Sequence, residues 1–377
     1  MKTQPHLRRA AAIGSVLTVA AAALSACGSS AESAGPPASD EQLDAAEAFV
    51  EPYREAPTSI GADTPVSQAP SGSKTIAFLS CNVEVCIKSQ EAGIEAAEAI
   101  GWEGIAIPFD GTPEDVLEKV RFAIDQGVDG IAVNGVPSAT FSAAYEEAEA
   151  AGIPIVLGAS PDVAEGPIVV VQDGIPEFET VGEVLGNYII ADSEGTANVL
   201  LFEMANFPIG QQIIATAAET IEENCSSCSA EVVTTQVSDI GTNTPGIVVS
   251  EVQRAPDVNY VAFADSVMTS GVPAALREAG AADQVRIVGA NASAGSLENV
   301  RNGTEHGYVQ FSVTYFNWQA VDAFVRHFNG DPQIERWQMP LRLVTADTVE
   351  GESEEDLLFN LPTDMQEQFL ELWQATS

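Results

Sequence analysis

The sequence predicts an α/β fold in which two doubly wound parallel-sheet lobes follow one another along the chain. Three observations carry that expectation. Short apolar strands alternate with helices of 10–15 residues, the pattern of a parallel sheet covered on both faces. The pattern runs to Gly158 and restarts at Ala197. About 300 residues of folding chain also exceed what one core comfortably holds.

Taken in order, the chain opens with Lys2, Arg8 and Arg9, then an Ala-rich apolar run from Ala10 to Ala23, then Leu24-Ser25-Ala26-Cys27. A basic start, a short apolar run and small residues at its end make a secretory signal over residues 1–26. The run is too short to span a bilayer, which takes about 20 apolar residues. Leu-Ser-Ala-Cys is similar to the lipobox of bacterial lipoproteins, and the resemblance implies that Cys27 is acylated and becomes the new N-terminus. The expected location is therefore the outer face of the cytoplasmic membrane, with the lipid as anchor. Residues 27–73 are rich in Ser, Ala, Pro, Gly and Glu, with one helical patch near Glu41 to Tyr53, and read as a flexible tether. Gly72-Ser73-Lys74-Thr75 is no phosphate loop. Gln68 and Ser73 stand where that motif needs glycine, and a strand follows instead of a helix.

From Lys74 the periodicity becomes regular. Thr75 to Ser80 reads as a buried strand, Ser89 to Ile100 as a helix closed by Gly101, and Glu103 to Pro108 as a second strand. Thr112-Pro-Glu-Asp opens a helix with an N-cap, a proline at its first position and acids in the first turn. Gly130 to Asn134 is the third strand, Ala139 to Ala151 a helix, and Ile153 to Gly158 the fourth strand. The second set comprises strands at Ala197–Phe202, Ala230–Thr235, Tyr260–Ala264 and Val285–Gly289. Helices at Gly210–Glu223, Gly246–Arg254 and Ser270–Ala279 separate them.

The charge balance restricts partners. With 15 Lys+Arg against 55 Asp+Glu the chain carries −40, and removing the signal leaves it near −43. Nucleic acid and anionic lipid surfaces would repel it. Forty-five per cent hydrophobic residues in regular strands argue for a folded core despite that charge. Besides Cys27, the cysteines fall as Cys81-x4-Cys86 and Cys225-x2-Cys228. In an exported chain, two local disulfides fit better than a four-thiolate zinc site, although the spacing by itself allows three pairings. A C-x-x-C redox pair at Cys225 and Cys228 would lack its βαβ setting. No metal or cofactor is expected.

Ala123-Ile-Asp-Gln-Gly-Val-Asp-Gly-Ile-Ala-Val-Asn134, followed by Ala148 to Val156, resembles the type I, ribose-binding-protein-like periplasmic binding proteins. Val261-Ala-Phe-Ala-Asp265, the segment from Gly271 to Gly280 and Val288-Gly-Ala-Asn291 repeat that family's second-lobe pattern. The likeness runs from about Lys74 to Val349. It is shared with sugar-responsive repressors, which carry a DNA-binding headpiece where this chain has an export signal. The resemblance implies a solute-binding component of an ABC importer that docks on permease subunits, expected here as a monomer. It further implies a hinge of three crossovers, near Asp173, Gln310 and Pro340. The lobes would then be residues 74–173 plus 311–340 and residues 174–310 plus 341–377. A lipoprotein that senses a ligand for a membrane receptor would use the same fold.

Ligands of open α/β sheets sit beyond the carboxyl ends of the strands. That rule selects Asn82 and Glu84, Asp110, Asn134 and Ser160 from the first set. From the second set it selects Asn206 and Phe207, with neighbouring Glu203, then Asp265 and Asn291. Asp173, Gln310 and Phe311 join them at the crossovers. Amides and carboxylates suit hydroxyl-bearing ligands, although Asp and Asn also cap helices and turns. Compared with the family's sugar binders, Cys86 and Ile87 replace the aromatics after the first strand, and Ala159-Ser160 replaces an Asp-Arg pair. Asn291 replaces an Asp, and Phe311 replaces a Gln, with Gln310 one place away. Lys and Arg are absent from 122 to 253, so an anionic ligand would find no fork to hold it. The expected ligand is a small neutral or cationic molecule, sugar-like or related, with Phe207 and Phe311 as stacking surfaces. A Cys81–Cys86 bond would brace the loop entering the cleft.

Catalysis is not expected. His6 leaves with the signal, His306 and His327 lie near no nucleophile motif, and Asn291-Ala-Ser-Ala-Gly295 lacks the first glycine of a nucleophile elbow. H-E-x-x-H, a Walker loop and G-x-G-x-x-G are absent from the sequence.

Overall fold

The structure is a computed structural model that describes residues 37–375 apart from Glu335, and the side chain of Glu84 falls outside that description. The signal, Cys27 and the first part of the expected tether lie outside the described residues.

Helix α1 (Asp40–Arg54) starts at a capping box in which Ser39 and Gln42 satisfy each other's backbone amides. The first lobe follows as β1 (Thr75–Cys81), α2 (Glu84–Ala99), β2 (Glu103–Phe109), α3 (Pro113–Asp125) and β3 (Gly130–Asn134). It continues with α4 (Tyr145–Ala151), β4 (Ile155–Gly158) and β5 (Ile168–Gln172). The chain then crosses into α5 (Ile175–Asp192), β6 (Asn198–Met204), α6 (Pro208–Asn224), β7 (Ser229–Thr235) and α7 (Thr244–Arg254). The second lobe goes on through β8 (Tyr260–Phe263), α8 (Val272–Glu278), β9 (Arg286–Ala290), α9 (Ala294–Arg301) and β10 (Gly307–Gln310). It returns to the first lobe as α10 (Val313–Asn329), adds β11 (Arg342–Thr345) to the second sheet, and ends in α11 (Glu354–Phe359) and α12 (Met365–Leu372).

The first sheet has the order β2-β1-β3-β4-β5 and is parallel throughout. The second has the order β11-β10-β9-β8-β6-β7, parallel except for the edge strand β11. Each order reverses once, at β1/β3 and at β6/β8, so each lobe has a crevice at the carboxyl ends of those strands. β1, β3, β6 and β8 are apolar because helices cover both faces, as with Ile76, Phe78, Leu201 and Phe263.

Chain crossings fall at 173–174, at 311–312 and between α10 and β11. Both ends of the chain depart from expectation. Residues 37–73, expected as flexible tether, are packed on the body: Ala46, Val50, Ile60 and Val66 are buried. The Tyr315 hydroxyl donates to the Ile60 carbonyl, and Arg326 Nη2 donates to the Thr64 carbonyl at 2.7 Å. Residues 341–377, expected in the second lobe, are divided. β11 does join the second sheet, but α12 lies on α10 of the first lobe, with Trp373 stacked on Trp318 at 5.5 Å. The reason is common to both. α10 is buried along nearly its whole length from Thr314 to Arg326, and its outer aromatic face needs a cover. Phe369, Leu372 and Trp373 present one helical face to it, and residues 60–66 complete the wrapping.

The expected helix at Ala139–Ala151 is two single 3-10 turns followed by the short α4. β5, α5, α9, β10, α10, β11, α11 and α12 lie outside the elements expected from the sequence. α5 is apolar on most of its surface and so lacks a clear period.

Candidate functional site

A cavity of about 180 Å³ lies between the lobes, over the strand ends where both crevices open. Five expected residues line it: Asn134, Phe207, Asp265, Asn291 and Phe311. The first lobe also contributes Ser80, Val85, Cys86 and Ser89, and the second Ile209 and Ile213. Larger hollows of about 630 and 670 Å³ lie elsewhere, one at the opposite end of the second sheet and one against α1.

On the first-lobe side, β3 delivers Asn134 to the cleft. Its amide nitrogen donates to Asn317 Oδ1 at 2.8 Å, while Asn317 Nδ2 donates to the Ser89 carbonyl at 2.6 Å. A carbonyl only accepts, so that second bond fixes which way both amides face. The orientation leaves Asn134 Oδ1 above Gly158, where an added Cβ would lie 2.1 Å from it. A side chain there would force the Asn134 amide to shift. Cys81 is bonded to Cys86, tying the end of β1 to the first turn of α2 at the cavity wall; Cys225 is bonded to Cys228 far from it, beside Gly195.

On the second-lobe side, Asp265 accepts from the Val267 amide and from Asn291 Nδ2, both at 2.9 Å. Burial pushes its carboxyl up to about 6, against the lowering effect of those two bonds. Asn291 holds φ of 53° and Ala159 φ of 50° at the cavity; asparagine tolerates that left-handed backbone, and alanine there is strained. Phe311 meets Phe178 edge-on at 5.6 Å and Phe316 at 5.9 Å, and these rings form the apolar wall. Phe207 is half-buried on the facing loop, against Gly210.

The other expected residues stand elsewhere, for local reasons. Asn82 is exposed, and Glu84 opens α2. Asp110 accepts from the Thr112 amide and hydroxyl, bonds that hold its carboxyl below the usual range; it shapes the turn into α3. Ser160 is buried and donates to Asp162. Asn206 is an exposed turn residue with φ of 63°. Gln310 is buried, accepts from the Ala292 amide at 2.6 Å and donates to the Phe311 carbonyl, so it braces the second crossover. It borders an adjoining opening of about 330 Å³. Asp173 is buried in the first crossover, and neither of its oxygens has a partner among the described residues. Burial, reinforced by Glu177, pushes its carboxyl well up.

Phe178, Phe316 and Asn317 were not foreseen. All three lie in early turns of helices that begin at crossovers, and such helices point their first side chains at the cleft.

A family profile described as a periplasmic binding protein domain matches residues 84–332. No curated protein matches the chain in sequence. Among solved structures, an ABC sugar transporter subunit from Rhodobacter sphaeroides 2.4.1 is similar, with a TM-score of 0.62 and 19% identity over 73% of this chain and 98% of its own. An ABC transporter periplasmic solute-binding protein from Actinobacillus succinogenes 130z, with bound D-allose, gives 0.65 and 18% over 74% and 100%. An ABC transporter solute-binding protein from Bacillus halodurans C-125, with bound myo-inositol, gives 0.62 and 19% over 74% and 97%. At these identities the structures speak for the fold, and the profile match speaks for the family. With both sheet orders in place, the chain belongs to the periplasmic binding protein domain family in its type I, ribose-binding-protein-like form, a family of solute binders and not of enzymes.

Proposed function

We propose that the chain is the extracytoplasmic solute-binding lipoprotein of an ABC importer, holding a small neutral or cationic ligand between its lobes. The carrying observation is the cavity bounded by β3 and α10 on one side and by the loops after β6, β8 and β9 on the other. A ligand touching both walls favours the closed form by its differential affinity for that form. The closed surface then docks on permease subunits. Asn134, Phe207, Asp265, Asn291 and Phe311 are the proposed contacts, and Cys27 the proposed lipid attachment. A thermal-shift screen of the mature chain against sugars, polyols and amines tests the binding. A stabilising hit that also contracts the scattering profile supports it, and a rigid profile with every hit refutes it. For the anchor, detergent partition of wild type and Cys27→Ser in the producing cell should separate membrane-bound from released protein.

A further inference from the structure

We infer that the solute is an ammonium cation on an apolar body, a primary or secondary amine, in place of a polyol or an anion. This rests on the solute-binding reading above and narrows it. The argument comes from donors and acceptors. Ser89 Oγ donates to the Val313 carbonyl at 2.7 Å and Ser80 Oγ to the Cys86 carbonyl at 3.2 Å, so both hydroxyl hydrogens of the cleft are committed to backbone. Asn134 and Asn291 each direct an amide hydrogen to a protein acceptor, Asn317 in one case and Asp265 in the other. Among the described residues, no donor meets the carbonyl oxygen of either amide. The Asp265 oxygens each accept one bond and retain free lone pairs. The side chains of the wall therefore offer mainly acceptors, with one further hydrogen on each amide as their remaining donors, and the uncapped first turns of α2 and α6 add backbone amides.

A polyol's oxygens would find those backbone amides, but it would leave the buried Asp265 carboxylate without a counter-charge among the lining residues, and a buried unpaired charge is costly. An ammonium group donates only, so it matches such a wall. An anion would meet no Lys, Arg or His side chain among the lining residues. The carbon body then lies among Phe178, Phe207, Phe311 and Phe316, whose faces attract a cation within about 6 Å. The chain's net charge of −40 also concentrates cations around it. Of other charged groups at the mouth, Glu354 of α11 adds the same sign as Asp265.

The test is calorimetry on the mature full chain at pH 7.5 with 2-phenylethylamine and isopentylamine, each beside its neutral isostere, 2-phenylethanol and isopentanol. D-allose and myo-inositol serve as polyols. The expected result is that an amine binds at least about tenfold tighter than its alcohol. Asp265→Asn, which keeps the cap on Val267, should abolish that preference, with its melting temperature measured alongside to show that the variant is folded. Asn317→Leu, which leaves the ligand untouched but frees Asn134, should weaken the amine several-fold. Lowering the pH below the Asp265 value should weaken it by up to about tenfold per unit, because protons compete with the cation. An alcohol or polyol binding as tightly as the amines, or a preference that survives Asp265→Asn, overturns the amine class. Binding by polyols alone removes the amine class and leaves the solute-binding reading standing. If no probe and no member of a metabolite library shifts the melting temperature, both fall.

Discussion

On α10, Asp322 lies between Arg326 Nε at 2.6 Å and the Trp373 indole nitrogen at 2.9 Å, while beside Gln319 of the same helix the equally buried Asp173 has no hydrogen-bond partner. Burial pushes both carboxyls up. At Asp322 a guanidinium and an indole oppose that rise, whereas at Asp173 the neighbouring Glu177 adds to it and the neutral Gln319 amide alone works against it. Arg326 in turn reaches the Thr64 carbonyl, so the complete network joins α10, α12 and the N-terminal segment into one unit. The incomplete one sits in the first crossover, and Gln172 Oε1 and both amide atoms of Gln319 also lack partners there among the described residues. The contrast teaches where α10 is fixed: its outer end is clamped by charged and indole partners, while the atoms around Asp173 have none among the described residues.

The largest break in this contrast is Arg326→Met. It leaves the Asp322 carboxyl buried without its cation, and chemical denaturation should register a loss of about 3–5 kcal/mol. Next is Gly61→Ala. Gly61 has φ of 77°, and a Cβ there would lie 2.1 Å from the Gln338 carbonyl oxygen, where the N-terminal segment meets the third crossover. A loss of about 1–3 kcal/mol is expected, with faster proteolysis between residues 55 and 70 and no change in the cleft.

Asp173→Asn should act through pH. The folded carboxyl holds its proton above the unfolded value of about 3.9, so its contribution is fully present below that value and is lost as pH rises through the folded value. Melting curves of wild type and variant should coincide near pH 4, with the variant the more stable at pH 8. Some decline with pH should persist in the variant, because burial also raises Glu177, Asp265 and Asp322. The smallest effect is expected for Arg121→Ala. Its pair with Glu147, at 2.8 Å, is exposed on both sides, and surface pairs contribute about 0–1 kcal/mol. A larger loss there would mean that the exposed acids also clamp the fold.

The strands were readable because each is a short apolar run, and a run such as Ile76–Leu79 or Tyr260–Phe263 has one way to be buried in a covered sheet. The strand-end rule selected Asn134, Asp265 and Asn291, which line the cavity, since it depends only on where strands stop. It also gathered Asp110, Ser160 and Asn206, because the same residue types shape turns, and a local signal cannot tell a turn from a ligand contact. The two chain ends misled for a related reason. Ile60 and Val66 are isolated apolar residues in a polar run, and without α10 to receive them they carry no period.

By itself the sequence determined most of the strands and their parallel pairing into two lobes, which follow from local periodicity and connection length. Tertiary structure alone decided that Asn317 turns Asn134 toward the cleft, that Phe178 and Phe316 stand beside Phe311, and that the termini wrap α10. Those depend on contacts between residues up to about 300 positions apart, such as Ile60 with Gln368, and no local pattern encodes which distant surface will be there to meet them.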